Sequence, residues 1–80
     1  MWKVEIWEEL VGPGQNPTPT GEYLQKGKKF PNWSAAEEAI TRHIDAIDYR
    51  VNDYDKRRGC WWCRKKYEDQ KNLILWIRRV

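Results

Sequence analysis

Apolar and polar residues alternate at the start of the chain. Trp2, Val4 and Ile6 are each separated by a charged residue, and this period of two predicts a half-buried strand. If the alternation continues, Trp7 lies on the face opposite to Trp2, Val4 and Ile6, where it is either under a loop or in solvent. The pattern therefore predicts one strand with an apolar face toward the core and an indole on the other side.

The next twenty residues show no such period. Residues 12–21 contain three prolines and three glycines. Because proline lacks an N–H and fixes φ, this Pro/Gly-rich segment is predicted to be a surface loop rather than a helix or a central strand. Residues 22–25, a glycine turn at 26–28 and a return at 29–30 then predict a short strand pair or an extended edge.

Helical spacing follows. Ser34 is the predicted N-cap, because Glu37 stands three residues later at the capping-box distance. After Ser34, mostly apolar residues recur at positions i, i+3, i+4, i+7, i+8 and i+11. This spacing predicts an amphipathic helix with one buried stripe. That stripe is Ala36, Ala39, Ile40, His43, Ile44 and Ile47.

After residue 48 the period returns to two. Residues 49–54 alternate, residues 55–59 have turn composition, and residues 60–67 are extended. A second turn is predicted at 68–72. Residues 73–80 are apolar on both faces, which favours a central strand. The second half therefore predicts a three-strand antiparallel meander.

These elements define the fold class as α+β. We expect one helix packed on a four- to five-strand, mostly antiparallel sheet in the order β-(β)-α-β-β-β. The 80 residues allow a single domain, 1–80, with the Pro/Gly-rich loop at 12–21. No apolar run reaches the roughly 18 residues of a membrane span, and no signal peptide is visible, so we expect a cytoplasmic protein without a membrane partner.

Composition adds two features. The chain has six tryptophans, which either enlarge a small core or serve as surface anchors for a partner. Charge is also uneven, since residues 1–40 hold four Lys or Arg against six acids and residues 41–80 hold eleven against six. The second half is therefore suited to an acidic partner.

The best functional signal is a basic and aromatic hairpin at 56–66. Two clusters of three cations flank a pair of tryptophans, which should face opposite sides of a sheet because they are adjacent. An exposed indole between cations is suited to stack on a base or to fill a pocket of a partner. The other interpretation is a solvated hairpin whose indole is covered by the Pro/Gly-rich loop. The candidate binding residues are Lys56, Arg57, Arg58, Trp61, Trp62, Arg64, Lys65 and Lys66, extended by Lys26, Lys28 and Lys29 if their turn packs alongside.

Cys60 and Cys63 form the one motif with a chemical precedent. Structural zinc needs four ligands, and His43 supplies at most a third. On a continuous strand the two thiols point to opposite faces, although the nearby cations should lower a thiol pKa. The favoured interpretation is two reduced structural cysteines with no metal and no cofactor, and the alternative is a small zinc or redox protein that uses this pair. No catalytic motif is present, so we expect a protein that is not an enzyme.

Two resemblances follow from these residues. The segment 23–30 leading into Ser34-Ala35-Ala36-Glu37 resembles the strand–turn–strand–helix of integrase arm-binding domains, in which the sheet enters a DNA groove. In size and style the whole chain resembles small phage-encoded accessory proteins of the anti-CRISPR inhibitor type. That resemblance implies a phage protein that docks on a host nucleoprotein complex, CRISPR effector-like, in the host cytoplasm and blocks nucleic-acid binding. The alternative is a direct DNA- or RNA-binding module that uses the same basic and aromatic surface.

Overall fold

One helix packs on a five-stranded antiparallel sheet, which confirms the predicted fold class. The structure, a computed structural model, describes residues 1–10, 16–65 and 71–80. Its elements are β1 (Trp2–Leu10), β2 (Thr18–Tyr23), a short 3-10 segment (Leu24–Gly27), α1 (Trp33–Ala46), β3 (Tyr49–Asp55), β4 (Cys60–Lys65) and β5 (Lys71–Arg79). The strands lie in the order β2-β1-β5-β4-β3.

β5 occupies the middle of the sheet, as its two apolar faces predicted. It pairs antiparallel with β1 on one side and with β4 on the other. The core lies between this sheet and α1, where Val4, Leu75 and Ile77 are buried against the helix. The predicted helical stripe is also confirmed, since its buried members are Ala36, Ala39, Ile40 and Ile44.

Part of the predicted Pro/Gly-rich loop is a strand. Residues 18–21 belong to β2, so that part of the prediction is wrong, and residues 12–15 lie outside the described residues. β2 tolerates Pro19 because it is an edge strand, where a missing N–H costs no ladder hydrogen bond. The Thr20 hydroxyl fastens this edge by donating to the Ile6 carbonyl at 2.8 Å. The glycine turn predicted at 26–28 falls within and just after the 3-10 segment.

The N-cap of α1 is Asn32, and the prediction of Ser34 is wrong. The Asn32 Oδ1 accepts a hydrogen bond from the Ala35 N–H at 2.8 Å. Phe30 is fixed just upstream by a backbone bridge to Trp2. The chain therefore turns into the helix at residue 33, and Ser34 lies exposed within the first turn.

The meander of β3, β4 and β5 has the predicted order. A turn at 56–59 joins β3 to β4, and the Gly59 carbonyl accepts from the Ile77 N–H at 2.7 Å. Of the predicted second turn, residues 68–70 lie outside the described residues and residues 71–72 belong to β5. In the part of the chain that the structure describes, no helix combines the length and apolarity needed to cross a membrane.

Candidate interaction surface

The two adjacent tryptophans of β4 face opposite sides of the sheet, as expected. Trp61 is 7% exposed and belongs to the core under α1. Trp61 is therefore removed from the candidate binding residues, because a partner has no access to it. Trp62 is half-buried on the face of the sheet opposite the helix.

Three indoles meet on that second face, which we call the indole face. Its described members are Trp7, Trp62 and Trp76, together with Cys60 and Ile74. Strand register brings them together: Ile74 of β5 lies between Trp7 of β1 and Trp62 of β4, and Trp76 lies opposite Cys60. With Pro17 and Arg58 they enclose a largely apolar cavity of about 220 Å³.

The indoles are held in different ways. The ring centroids of Trp7 and Trp76 lie 5.8 Å apart with the planes tilted by 48°. The Trp76 Nε1–H donates to the Arg58 carbonyl at 3.1 Å. The Trp7 Nε1–H is buried and finds no acceptor among the described residues. A buried donor without an acceptor costs about 1–3 kcal/mol, so the packing of Trp7 against its neighbours is kept at some cost to the stability of the fold.

Arginines surround the indoles, and carboxylates stand beside them. The Arg78 guanidinium lies 3.8 Å from the centre of the Trp76 ring and forms an ion pair of 2.6 Å with Glu5. Arg58 forms a longer ion pair with Asp55, 3.7 Å between Nε and Oδ2. These arginines are partly neutralised by acids of the same face.

The described cations of the predicted hairpin do not form one patch. Lys56, Arg57 and Arg58 are exposed on the turn before β4, whereas Arg64 lies at the far end of that strand, opposite Asn72. Lys65 ends β4, and Lys66 lies outside the described residues. Trp62 and Arg64 share the indole face, because they are two positions apart on one strand.

Lys26, Lys28 and Lys29 do not extend the hairpin. Their segment lies beside β1, where Phe30 bridges to Trp2, on the other side of the sheet from β4. All three are exposed. Lys28 and Lys29 nevertheless lie at the same end of the sheet as the 56–58 turn, across the width of β1 and β5.

The two cysteines lie on opposite faces, as expected. Cys63 is fully buried in the core and Cys60 borders the cavity of the indole face. Burial raises the pKa of Cys60 to about 11, with Asp55 adding to the rise and Arg78 and Arg58 opposing it. Burial also raises the pKa of Cys63 to about 12. The nearby arginines lower the pKa of Cys60, as expected, but desolvation by burial outweighs them and the net effect is a rise.

Metal ligands do not gather in the described part of the chain. Within residues 1–10, 16–65 and 71–80, no group of three His, Cys, Asp or Glu side chains is placed to hold an ion. His43 lies half-buried on α1, and this burial lowers its pKa. It shares no site with Cys60, which lies on the face of the sheet away from the helix.

Sequence reasoning missed three contributors to the indole face, namely Trp7, Trp76 and Arg78. The signal for Trp7 was present, since its phase on β1 is opposite to that of Val4. Trp76 and Arg78 share one face of β5, but the apolar residues on both faces hid which neighbours each would meet. Only the register of β1 and β4 against β5 brings these side chains together.

No protein-family model, no curated protein and no solved structure matches the chain.

Proposed function

We propose that this protein is a non-enzymatic binding domain that docks on a protein partner through the indole face. The observation that supports this proposal is the convergence of Trp7, Trp62 and Trp76 around an apolar cavity on the face opposite α1. Tryptophan and arginine dominate the energetic centres of protein interfaces, where an anchor side chain fills a pocket surrounded by polar groups. The indole face has this composition.

The charge distribution favours a protein over nucleic acid at this face. Phosphate contacts need cations that can exchange small counterions for phosphate. Here Arg78 is already paired with Glu5 and stacked on Trp76, and Arg58 lies near Asp55. Binding phosphate at these arginines would require breaking contacts that the protein makes within itself. An apolar side chain of a partner would enter the cavity without that cost.

The partner class that we propose is a host nucleoprotein complex, CRISPR effector-like, and the role is that of a phage-type inhibitor that blocks nucleic-acid binding. This part of the proposal follows from the resemblance in size and style to phage-encoded inhibitors. The alternative, a direct DNA- or RNA-binding module that uses the same face, predicts a different dependence on salt and is separated from the first by experiment.

The test uses purified nucleoprotein effectors and measures both binding and inhibition of their target capture. We expect Trp62→Ala to weaken binding by about 30-fold or more, since loss of a central indole costs about 2 kcal/mol. Tyr54→Ala is the matched control, because Tyr54 is an exposed aromatic residue on β3, outside the cavity. Thermal unfolding of both variants reports whether the fold is retained.

Two outcomes contradict the proposal. Equal losses for Trp62→Ala and Tyr54→Ala would show that the indole face is not the contact surface. Tight binding of free single-stranded RNA or duplex DNA, abolished by Trp62→Ala and steeply weakened by salt, would establish the alternative module.

A further inference from the structure

Cations from three separate segments lie at one end of the sheet, which we call the basic end. It contains Lys28, Lys29, Lys56, Arg57 and Arg79. Strand register places them there: Trp2 pairs with both Arg79 and Phe30, so the end of β5 and the 28–29 segment flank the start of β1. The 56–58 turn joins the same end because Gly59 bonds to Ile77, two residues before Arg79.

These cations are open to solvent and lack an acid among the described residues. Lys28, Lys29, Lys56, Arg57 and Arg79 are exposed, and none of the five makes an ion pair with any described residue. Arg58 and Arg78 are paired with carboxylates and lie on the indole face, and Lys3, which is opposite Arg78 in register, shares that face. The basic end is therefore a positive surface with which no described carboxylate pairs.

Aromatic rings support several of these side chains. The ammonium group of Lys28 lies 5.7 Å from the centre of the Phe30 ring, that of Lys56 lies 5.9 Å from the centre of the Tyr54 ring, and Arg79 lies 6.0 Å from that of Trp2. A ring holds a cation in place without cancelling its charge, so the head group stays available to an anion.

The spacing suits a chain of phosphates. The 56–58 turn leads into β4, Arg79 ends β5, and Lys28 lies beside β1, so the cations extend across about three strand spacings of about 4.8 Å each. We propose that the basic end binds the phosphate backbone of nucleic acid without reading its sequence. This inference is independent of the proposed function, because it concerns a different surface and needs no protein partner.

The test is binding of fluorescein-labelled single-stranded RNA and duplex DNA, measured by anisotropy over a range of salt. Arg57→Gln with Arg79→Gln removes two cations of the basic end. Arg42→Gln with Arg50→Gln is the matched control, since it also removes two exposed arginines, one on α1 and one at the far end of β3. Neither pair includes a residue of the indole face.

Each lost phosphate contact makes the slope of log K against log salt shallower by about 0.7 for single strands and 0.9 for duplex DNA. We therefore expect the first pair to reduce RNA affinity about 10- to 30-fold at roughly 0.1 M salt, with a slope shallower by about 1.4. The control pair should change affinity less than about threefold, because long-range charge is screened over about 10 Å at that salt.

Three results would overturn the inference. Equal losses for the two pairs would show that net charge alone governs binding. If neither RNA nor DNA binds saturably at about 50 mM salt, the basic end is not a nucleic-acid site. Binding of polyglutamate as tight as that of nucleic acid, at equal charge, would assign the basic end to an acidic protein.

Discussion

The indole of Trp33 lies directly over Gly59. A Cβ built on Gly59 would stand 2.5 Å from the Trp33 Cη2 and 3.1 Å from the Ile77 Cβ. Gly59 also has φ of +72°, in the region that side chains disfavour. The contact joins the first residue of α1 to the turn before β4, so the position of the helix depends on a residue without a side chain.

Gly59→Ala should therefore destabilise the protein by about 2–4 kcal/mol, from the cost of positive φ together with overpacking. Gly21→Ala is the control, since Gly21 has φ of +81° but no atom within 4 Å of the added Cβ. It should cost only the backbone term, about 1–2 kcal/mol. Urea unfolding of the two variants measures the difference, and equal losses would show that the contact with Trp33 contributes nothing.

The helix cap gives a second prediction. Asn32→Ala should lower the free energy of unfolding by about 1 kcal/mol, because the Ala35 N–H loses its acceptor. Ser34→Ala should change it by less than about 0.5 kcal/mol, since Ser34 is an exposed position inside the helix. Chemical denaturation of both variants decides between the two residues, and a larger loss at Ser34 would restore it as the cap.

The thiols give a prediction on pH. With pKa values raised to about 11 and 12, Cys60 and Cys63 should react with Ellman's reagent at pH 8 only after the protein unfolds. Folding raises both values above the unfolded value of 9.0, so their contribution to stability is complete below pH 9 and declines as the pH rises toward 12.

This decline is measured by urea unfolding at pH 8 and pH 10.5. Between pH 8 and pH 10.5 the free energy of unfolding should fall less in the Cys60→Ala/Cys63→Ala variant than in the wild type. The fall that remains in the variant comes from other titrating groups. Rapid labelling of the folded protein at pH 8 would show that at least one thiol is more accessible than its burial indicates.

The ion pair beside Trp76 gives a further prediction. Glu5→Gln should cost about 0.5–1 kcal/mol and change tryptophan emission, because it releases the arginine that stacks on Trp76. Glu38→Gln is the matched control: Glu38 also pairs with an arginine at 2.6 Å, but on the exposed side of α1 and not beside Trp76. Fluorescence that responds equally to both changes would contradict the stacking.

Much of the fold was predictable because burial leaves a clear period in the sequence. The two apolar faces of β5 predicted its central place in the sheet. Because Trp61 and Trp62 are adjacent on one strand, they were predicted to face opposite sides of the sheet. Asn32 and Ser34 are both good capping residues, and the choice between them depends on the bridge of Phe30 to Trp2 across 28 residues. Local sequence carries no information about that contact.

The two surfaces were less predictable than the fold. The basic end joins Lys28, Arg57 and Arg79, which are far apart in the chain and meet only through strand order. The indole face likewise depends on register, because a shift of one residue between β1 and β5 would move Trp7 away from Ile74. Cations that are close together in sequence, such as those at 56–58 and 64–66, are by contrast easy to see, but the length of β4 separates Arg64 from the 56–58 turn.

The outer strands have a consequence for aggregation. β2 carries Pro19, and β3 has a register irregularity between Val51 and Asp53. The Asp53 carboxylate also accepts from the Tyr54 N–H at 2.8 Å, which occupies a backbone donor on this edge. Proline, bulges and charges on edge strands oppose the addition of a foreign strand. Concentrated solutions of this protein should therefore resist growth into continuous intermolecular sheets, even though five strands lie side by side in each molecule.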